Sequence, residues 1–126
     1  MLLLLSDGKD ESSSYEFESA LTFAHRAGVM VYAIGLREAA ELKKRGVRKV
    51  LEKLARETGG EAFFVESDLG ELAGIYATIE QELRSQYLFA YQSSSTKDPS
   101  EFRRIEVTVE AGGKKAEVRT MSGYYP

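Results

Sequence analysis

The sequence predicts an α/β fold, a parallel sheet with flanking helices extended at its carboxyl end by an antiparallel β meander. Three observations carry that expectation. Short apolar runs alternate with segments of helical periodicity as far as residue 86. Residues 102–110 then switch to strict apolar–polar alternation, and the pair Gly112-Gly113 separates that run from a further strand-like stretch. The expected division is 1–86 for the α/β part and 87–126 for an antiparallel extension packed on the same sheet.

The first element is the run Leu2 to Leu5, expected as a strand buried on both faces. Four leucines fall far short of the roughly 20 apolar residues of a membrane span. No positive residue precedes them and no small-residue cleavage site follows, so a secretory signal is not expected either. In the polar loop that follows, Ser13 and Glu16 have capping-box spacing, and Phe17, Ala20, Leu21, Ala24 and Ala27 recur at helical spacing before Gly28. The stretch Val29–Gly35 predicts a second buried strand. A charged helical segment comes next, broken at Gly46, after which Val47, Val50, Leu51, Leu54 and Ala55 form one apolar face that ends at Gly59-Gly60. Residues Glu61–Val65 predict a third strand. Asp68 with Glu71 predicts the start of a helix striped by Leu69, Leu72, Ala73, Tyr76, Ile79 and Leu83. Beyond it, YLFAYQ from Tyr87 predicts a strand and SSSTKDPS a loop. Phe102–Glu110 turns Ile105, Val107 and Val109 inward, and Lys115–Thr120 completes the meander.

Composition narrows the function classes. The 126 residues suit one domain, and 43% hydrophobic content suffices for a packed core. A net charge of −3, with no basic stripe interleaved with aromatics, disfavours nucleic acid as a partner. With no cysteine there is no disulfide, thiolate nucleophile or cysteine metal site, and the single histidine, His25, restricts imidazole chemistry.

Asp7 is the most informative polar residue, because ligands of open α/β sheets gather at the carboxyl ends of strands and Asp7 directly follows the first one. A carboxylate there either coordinates Mg²⁺ as a hard oxygen ligand or caps the loop. Asp10 and Glu11 lie close by, but the order D-G-K-D-E is not that of a calcium-binding loop. An apolar strand ending in aspartate also suits a magnesium-dependent phosphate or nucleotide hydrolase, although the chain has no G-x-x-x-x-G-K-[ST] loop. His25 is expected as a partly exposed boundary residue rather than a base, since no G-x-S-x-G nucleophile accompanies it. Ser12 to Ser14 fit helix capping. Lys43, Lys44, Arg45, Arg48 and Lys49 fit a solvated helix face, and Tyr124 and Tyr125 either face a partner or pack on the sheet.

Taken in order, LLSDGKD (Leu4–Asp10), LARETGG (Leu54–Gly60), IEQELRSQYLFAY (Ile79–Tyr91), FRRIEV (Phe102–Val107) and the terminal GYY resemble the bacterial von Willebrand factor A-related domain proteins. The resemblance runs through essentially the whole chain. It implies a noncatalytic, adhesion-type protein-interaction module, not an enzyme, whose metal-ion-dependent adhesion site is built from three loops. By this resemblance Asp7 is the last of that site's aspartates. The D-x-S-x-S of the first loop is absent, so the resemblance also implies a Rossmann-like sheet lacking its first strands and an incomplete site, with Mg²⁺ bound weakly or not at all. Such a parent protein is often exported.

A sheet lacking its first strands leaves Leu2–Leu5 at an open edge. Burying one leucine is worth about 1.5–3 kcal/mol, so four amount to roughly 6–12, against a domain's net stability of about 5–15. The expected partner is therefore a protein, including a second copy paired through Leu2–Leu5, and not a membrane. Besides the hydrolase, the alternative is a purely structural sheet extension of an exported protein.

Overall fold

The computed structural model describes residues 1–6, 14–36, 46–66 and 68–126. Its centre is a three-stranded parallel sheet in the order β1-β2-β3, made of β1 (Leu2–Ser6), β2 (Val31–Gly35) and β3 (Ala62–Phe64). The connections carry α1 (Ser14–Ala27) and α2 (Val47–Glu57), and α3 (Glu71–Arg84) follows β3. The strand–helix alternation of the sequence thus becomes a mixed α/β fold.

Sheet register follows from alternating backbone bonds. Leu2 donates its amide to Met30 at 2.8 Å and Leu36 donates to Ser6 at 2.8 Å, so the even residues of β1 face β2. On the other side of β2, Ala33 donates to Glu61 and Val65 donates to Gly35. All five residues of β2 are buried, which explains its unbroken apolar sequence. Partnered residues share a face: Leu4 packs with Leu21, Ala24, Val31 and Leu54 beneath α1 and α2. Tyr32 points to the opposite face, where its hydroxyl donates to the Glu82 carboxylate of α3 at 3.1 Å.

The expectation that Leu2–Leu5 is buried on both faces is overturned. Leu2 is 51% exposed and Leu5 50%, because β1 is an edge strand with one hydrogen-bonded neighbour among the described residues. The first helix starts at Ser14 as its periodicity predicts, while Ser12, Ser13, Asp10, Glu11 and Lys43 to Arg45 lie outside the described residues. Arg48 is more than a solvated charge, since it pairs with Glu52 at 2.9 Å and lies 4.5 Å from the Phe64 ring centroid. In α3 the expected stripe is only partly covered: Ile79 is buried, whereas Leu69 and Tyr76 are exposed. Asp68 shapes the entry to this helix by accepting the Gly70 amide at 2.8 Å.

The carboxyl-terminal part departs furthest from expectation. Its strands do not join the parallel sheet as a meander but form two separate antiparallel ladders, β4 (Arg103–Arg104) with β7 (Gly123–Tyr124) and β5 (Val109–Ala111) with β6 (Lys114–Ala116). YLFAYQ is not a strand, and its Tyr87, Leu88, Phe89 and Tyr91 are exposed. Val107 and Val109, expected to point inward, are also exposed. Alternation describes a half-buried strand only when a layer exists to bury it, and no described element covers this one. The Gly112-Gly113 turn is as predicted: both residues have positive φ, 59° and 76°, the conformation a two-residue hairpin needs.

Candidate functional site

Two regions concentrate polar groups. The first is the carboxyl edge of the parallel sheet, where β1 ends at Ser6, β2 at Gly35 and β3 at Phe64. The bonds Leu36 to Ser6 and Val65 to Gly35 tie these strand ends side by side. Asp7, assigned to Mg²⁺ from the sequence, lies outside the described residues. Of the described carboxylates nearby in sequence, Glu66 is exposed and Asp68 spends one oxygen on the Gly70 amide. Among the described residues no group of three or more histidine, aspartate or glutamate side chains is arranged to hold a metal ion.

The second region is the seam between the α/β part and the carboxyl-terminal segment. A cleft of about 530 Å³ opens there, with Arg56, Glu61, Glu106, Arg119 and Ser122 in its lining. Arg119 bridges two carboxylates that reach it from different places, Glu61 just before β3 and Glu82 on α3. Burial alone would raise the pKa of Glu82, but the hydrogen bond and charge of Arg119, with the Tyr32 hydroxyl, outweigh it and hold this carboxyl below its usual value. Burial, then the hydrogen bond to Glu82 and its negative charge, raises the pKa of the Tyr32 phenol. Arg119 is held above its ordinary value, chiefly by its bond to Glu82.

His25 closes the other end of this seam. It is 5% exposed, which overturns the expectation of a partly exposed boundary residue. Its Nε2 lies 3.0 Å from the carbonyl oxygen of Glu57 and 3.3 Å from Ser122 Oγ, and its ring lies 4.9 Å from that of Phe102. The geometry has the outline of a serine–histidine pair, but a carbonyl oxygen can only accept, so Nε2 carries the proton and cannot take another from Ser122. The arrangement is a joint and not a nucleophile with its base. The Glu57 oxygen also accepts the backbone amide of Ser122 at 3.0 Å.

The terminal tyrosines belong to the same seam rather than to the sheet face. The Tyr125 ring packs against Phe102 at 5.3 Å and under the Arg26 guanidinium at 4.4 Å, and the Tyr124 ring meets Tyr91 edge-on at 6.3 Å. Thr58, which the sequence does not single out, is fully buried; its hydroxyl accepts the Val31 amide at 3.0 Å and donates to the carbonyls of Leu54 and Ala55. Sequence spacing signals none of these partners except the Thr58-to-Leu54 turn of helix.

No family model matches the chain. Over 102 residues, 81% of this chain, it is 28% identical to integrin alpha-X from Homo sapiens, and it spans 8% of that protein's length. It also superposes on the crystal structure of an uncharacterised membrane-spanning protein from Vibrio fischeri with a TM-score of 0.53 and 27% identity. That match covers 64% of this chain and 45% of the other. The integrin similarity supports a von Willebrand A-like relationship at most, and the mixed α/β architecture is compatible with it. No helix among the described residues is long and apolar enough to cross a membrane.

Proposed function

We propose that this chain works as part of a noncatalytic, adhesion-type protein-interaction module of von Willebrand A-like fold, and that Asp7 offers an oxygen ligand to Mg²⁺ in an incomplete metal-ion-dependent site. One observation carries the proposal: the apolar strand that leads into Asp7 lies parallel to β2 in a chain similar to an integrin α subunit over most of its length. The carboxyl ends of such strands are where ligands of open sheets gather. A hard cation held there would supply open coordination positions for an oxygen ligand from a partner protein. The shared Nε2 proton at His25 supports the noncatalytic reading, because it leaves Ser122 without a base.

Calorimetric titration with MgCl₂ tests the metal part. Weak binding at millimolar Mg²⁺ that disappears in Asp7→Ala is expected, with unchanged circular dichroism. Binding by neither protein reduces the chain to a structural sheet extension, and equal binding by both removes Asp7 as the ligand. Phosphate release from ATP above the blank, lost in Asp7→Ala, would replace the interaction module by a hydrolase.

A further inference from the structure

The two carboxyl-terminal ladders belong to one hairpin whose strands part in the middle. Arg103 pairs with Tyr124 at one end and Val109 with Ala116 at the other, and Ile105 donates its amide to Ser122 just inside the first ladder. Residues 105–108 separate the ladders on one strand, whereas the longer stretch 117–122 separates them on the other. The longer side bows toward the end of α2, where Met121 bridges to Thr58 and the Ser122 amide reaches the Glu57 carbonyl at 3.0 Å. Among the described residues no backbone hydrogen bond joins 106–108 to 117–121. The cleft of about 530 Å³ is lined by both parted strands and by α2, and its size is that of a ligand site.

Arg103, Ile105 and Val109 turn their bonded backbone groups toward the opposite strand, and strand alternation turns those of Val107 the same way. Across from Val107 the other strand has moved off. We infer that an extended, basic segment of a partner protein lies in this gap, its backbone bonding to Val107 and its cationic side chains meeting Glu106 and Glu117. Both ends of the gap are closed by the hairpin's own pairs, so it takes a short segment of about five residues at roughly 3.3 Å each. No residue of the Asp7 loop is used, and the site goes beyond the metal-assisted reading.

The lining selects the occupant. Acid and valine alternate on both walls, as Glu106-Val107 and Glu117-Val118, so one face of the gap is acidic and the other apolar. An interposed strand of alternating basic and apolar residues would set each side chain against a favourable neighbour. An anion is disfavoured, because Arg119 is already engaged by Glu61 and Glu82. Of the remaining charges in the lining, Glu52 pairs with Arg48, while Arg56, Glu106 and Glu117 have no ion-pair partner among the described residues, which leaves two acids against one base.

Calorimetric titration of the 126-residue chain with two capped pentapeptides, one alternating valine and lysine and one alternating valine and glutamate, tests the inference. EDTA in the buffer keeps Mg²⁺ out of the readout, so failure of this site and failure of the metal-assisted module are distinguishable. The lysine peptide should bind about tenfold more tightly than the glutamate peptide, and Glu106→Gln with Glu117→Gln should remove that preference without changing the circular dichroism spectrum. Amide exchange at Val107 should slow when the lysine peptide is present, while Ile105, already bonded to Ser122, stays as it was. Binding of neither peptide overturns the inference, as does equal binding of both or a preference that survives in the double variant. Unchanged exchange at Val107 also overturns it, because a peptide held only by surface charge would leave that amide as it is. Should the double variant not fold, the peptide preference and the Val107 exchange of the wild type decide.

Discussion

The Thr58 hydroxyl accepts the backbone amide of Val31 at 3.0 Å, across 27 residues of sequence, at a point where both residues are buried. Val31 opens β2, and the neighbouring β3 begins only at Ala62, opposite Ala33. The hydroxyl thus stands in for a missing strand neighbour. Thr58→Val keeps the shape and strands the amide, at an expected cost of about 1–3 kcal/mol in urea unfolding. Thr58→Ser retains the acceptor and should recover most of that loss.

Gly60 and Gly74 make a matched pair. A Cβ at Gly60 would collide with the carbonyl of Val31, backbone that cannot step aside, so Gly60→Ala should lose about 1–3 kcal/mol or fail to fold. At Gly74, within α3, a Cβ meets open space. Gly74→Ala should therefore gain roughly 0.5–1 kcal/mol, read as a higher Tm.

Acid should weaken the Arg119 bridge. Glu82 titrates below its ordinary value of 4.5 in the folded chain, so its stabilising contribution is complete above pH 4.5 and is lost as pH falls through the lower folded value. Urea midpoints measured downward from pH 6 should fall more steeply for the wild type than for Arg119→Ala. At neutral pH Arg119→Ala should cost only about 1 kcal/mol, since the guanidinium and Glu61 are each about two-fifths exposed and solvent screens them.

His25→Phe keeps a ring against Phe102 and removes the proton that Glu57 accepts. The expected loss is about 1 kcal/mol. Hydrogen exchange should localise it, with faster exchange at Ser122, whose amide bonds across this seam to Glu57, and at Ile105, whose amide bonds to Ser122, and little change in β2.

What the sequence disclosed, and what it withheld, divides along contact distance. The strands β1 and β2, the helix following Gly46 and the Gly112-Gly113 hairpin depend on period and turn chemistry within a few residues, and all are visible in the chain. His25, Thr58 and Arg119 owe their roles to partners 27 to 97 residues away, which no local pattern encodes. Val107 and Val109 show the converse error, a strand pattern without a layer to bury it. Asp7 was legible as the residue that follows the first strand, and it lies outside the described residues.

The carbonyl of Glu57 holds a group from α1 and another from the last five residues of the chain. During synthesis α1 and α2 emerge early and can meet as soon as they are free of the ribosome, yet the end of α2 stays wet until Ser122 follows. The joint therefore sets after the helix pair, and a chain halted before Ser122 would carry a formed helix pair with an unsealed end, open to proteases at Thr58 and Gly59.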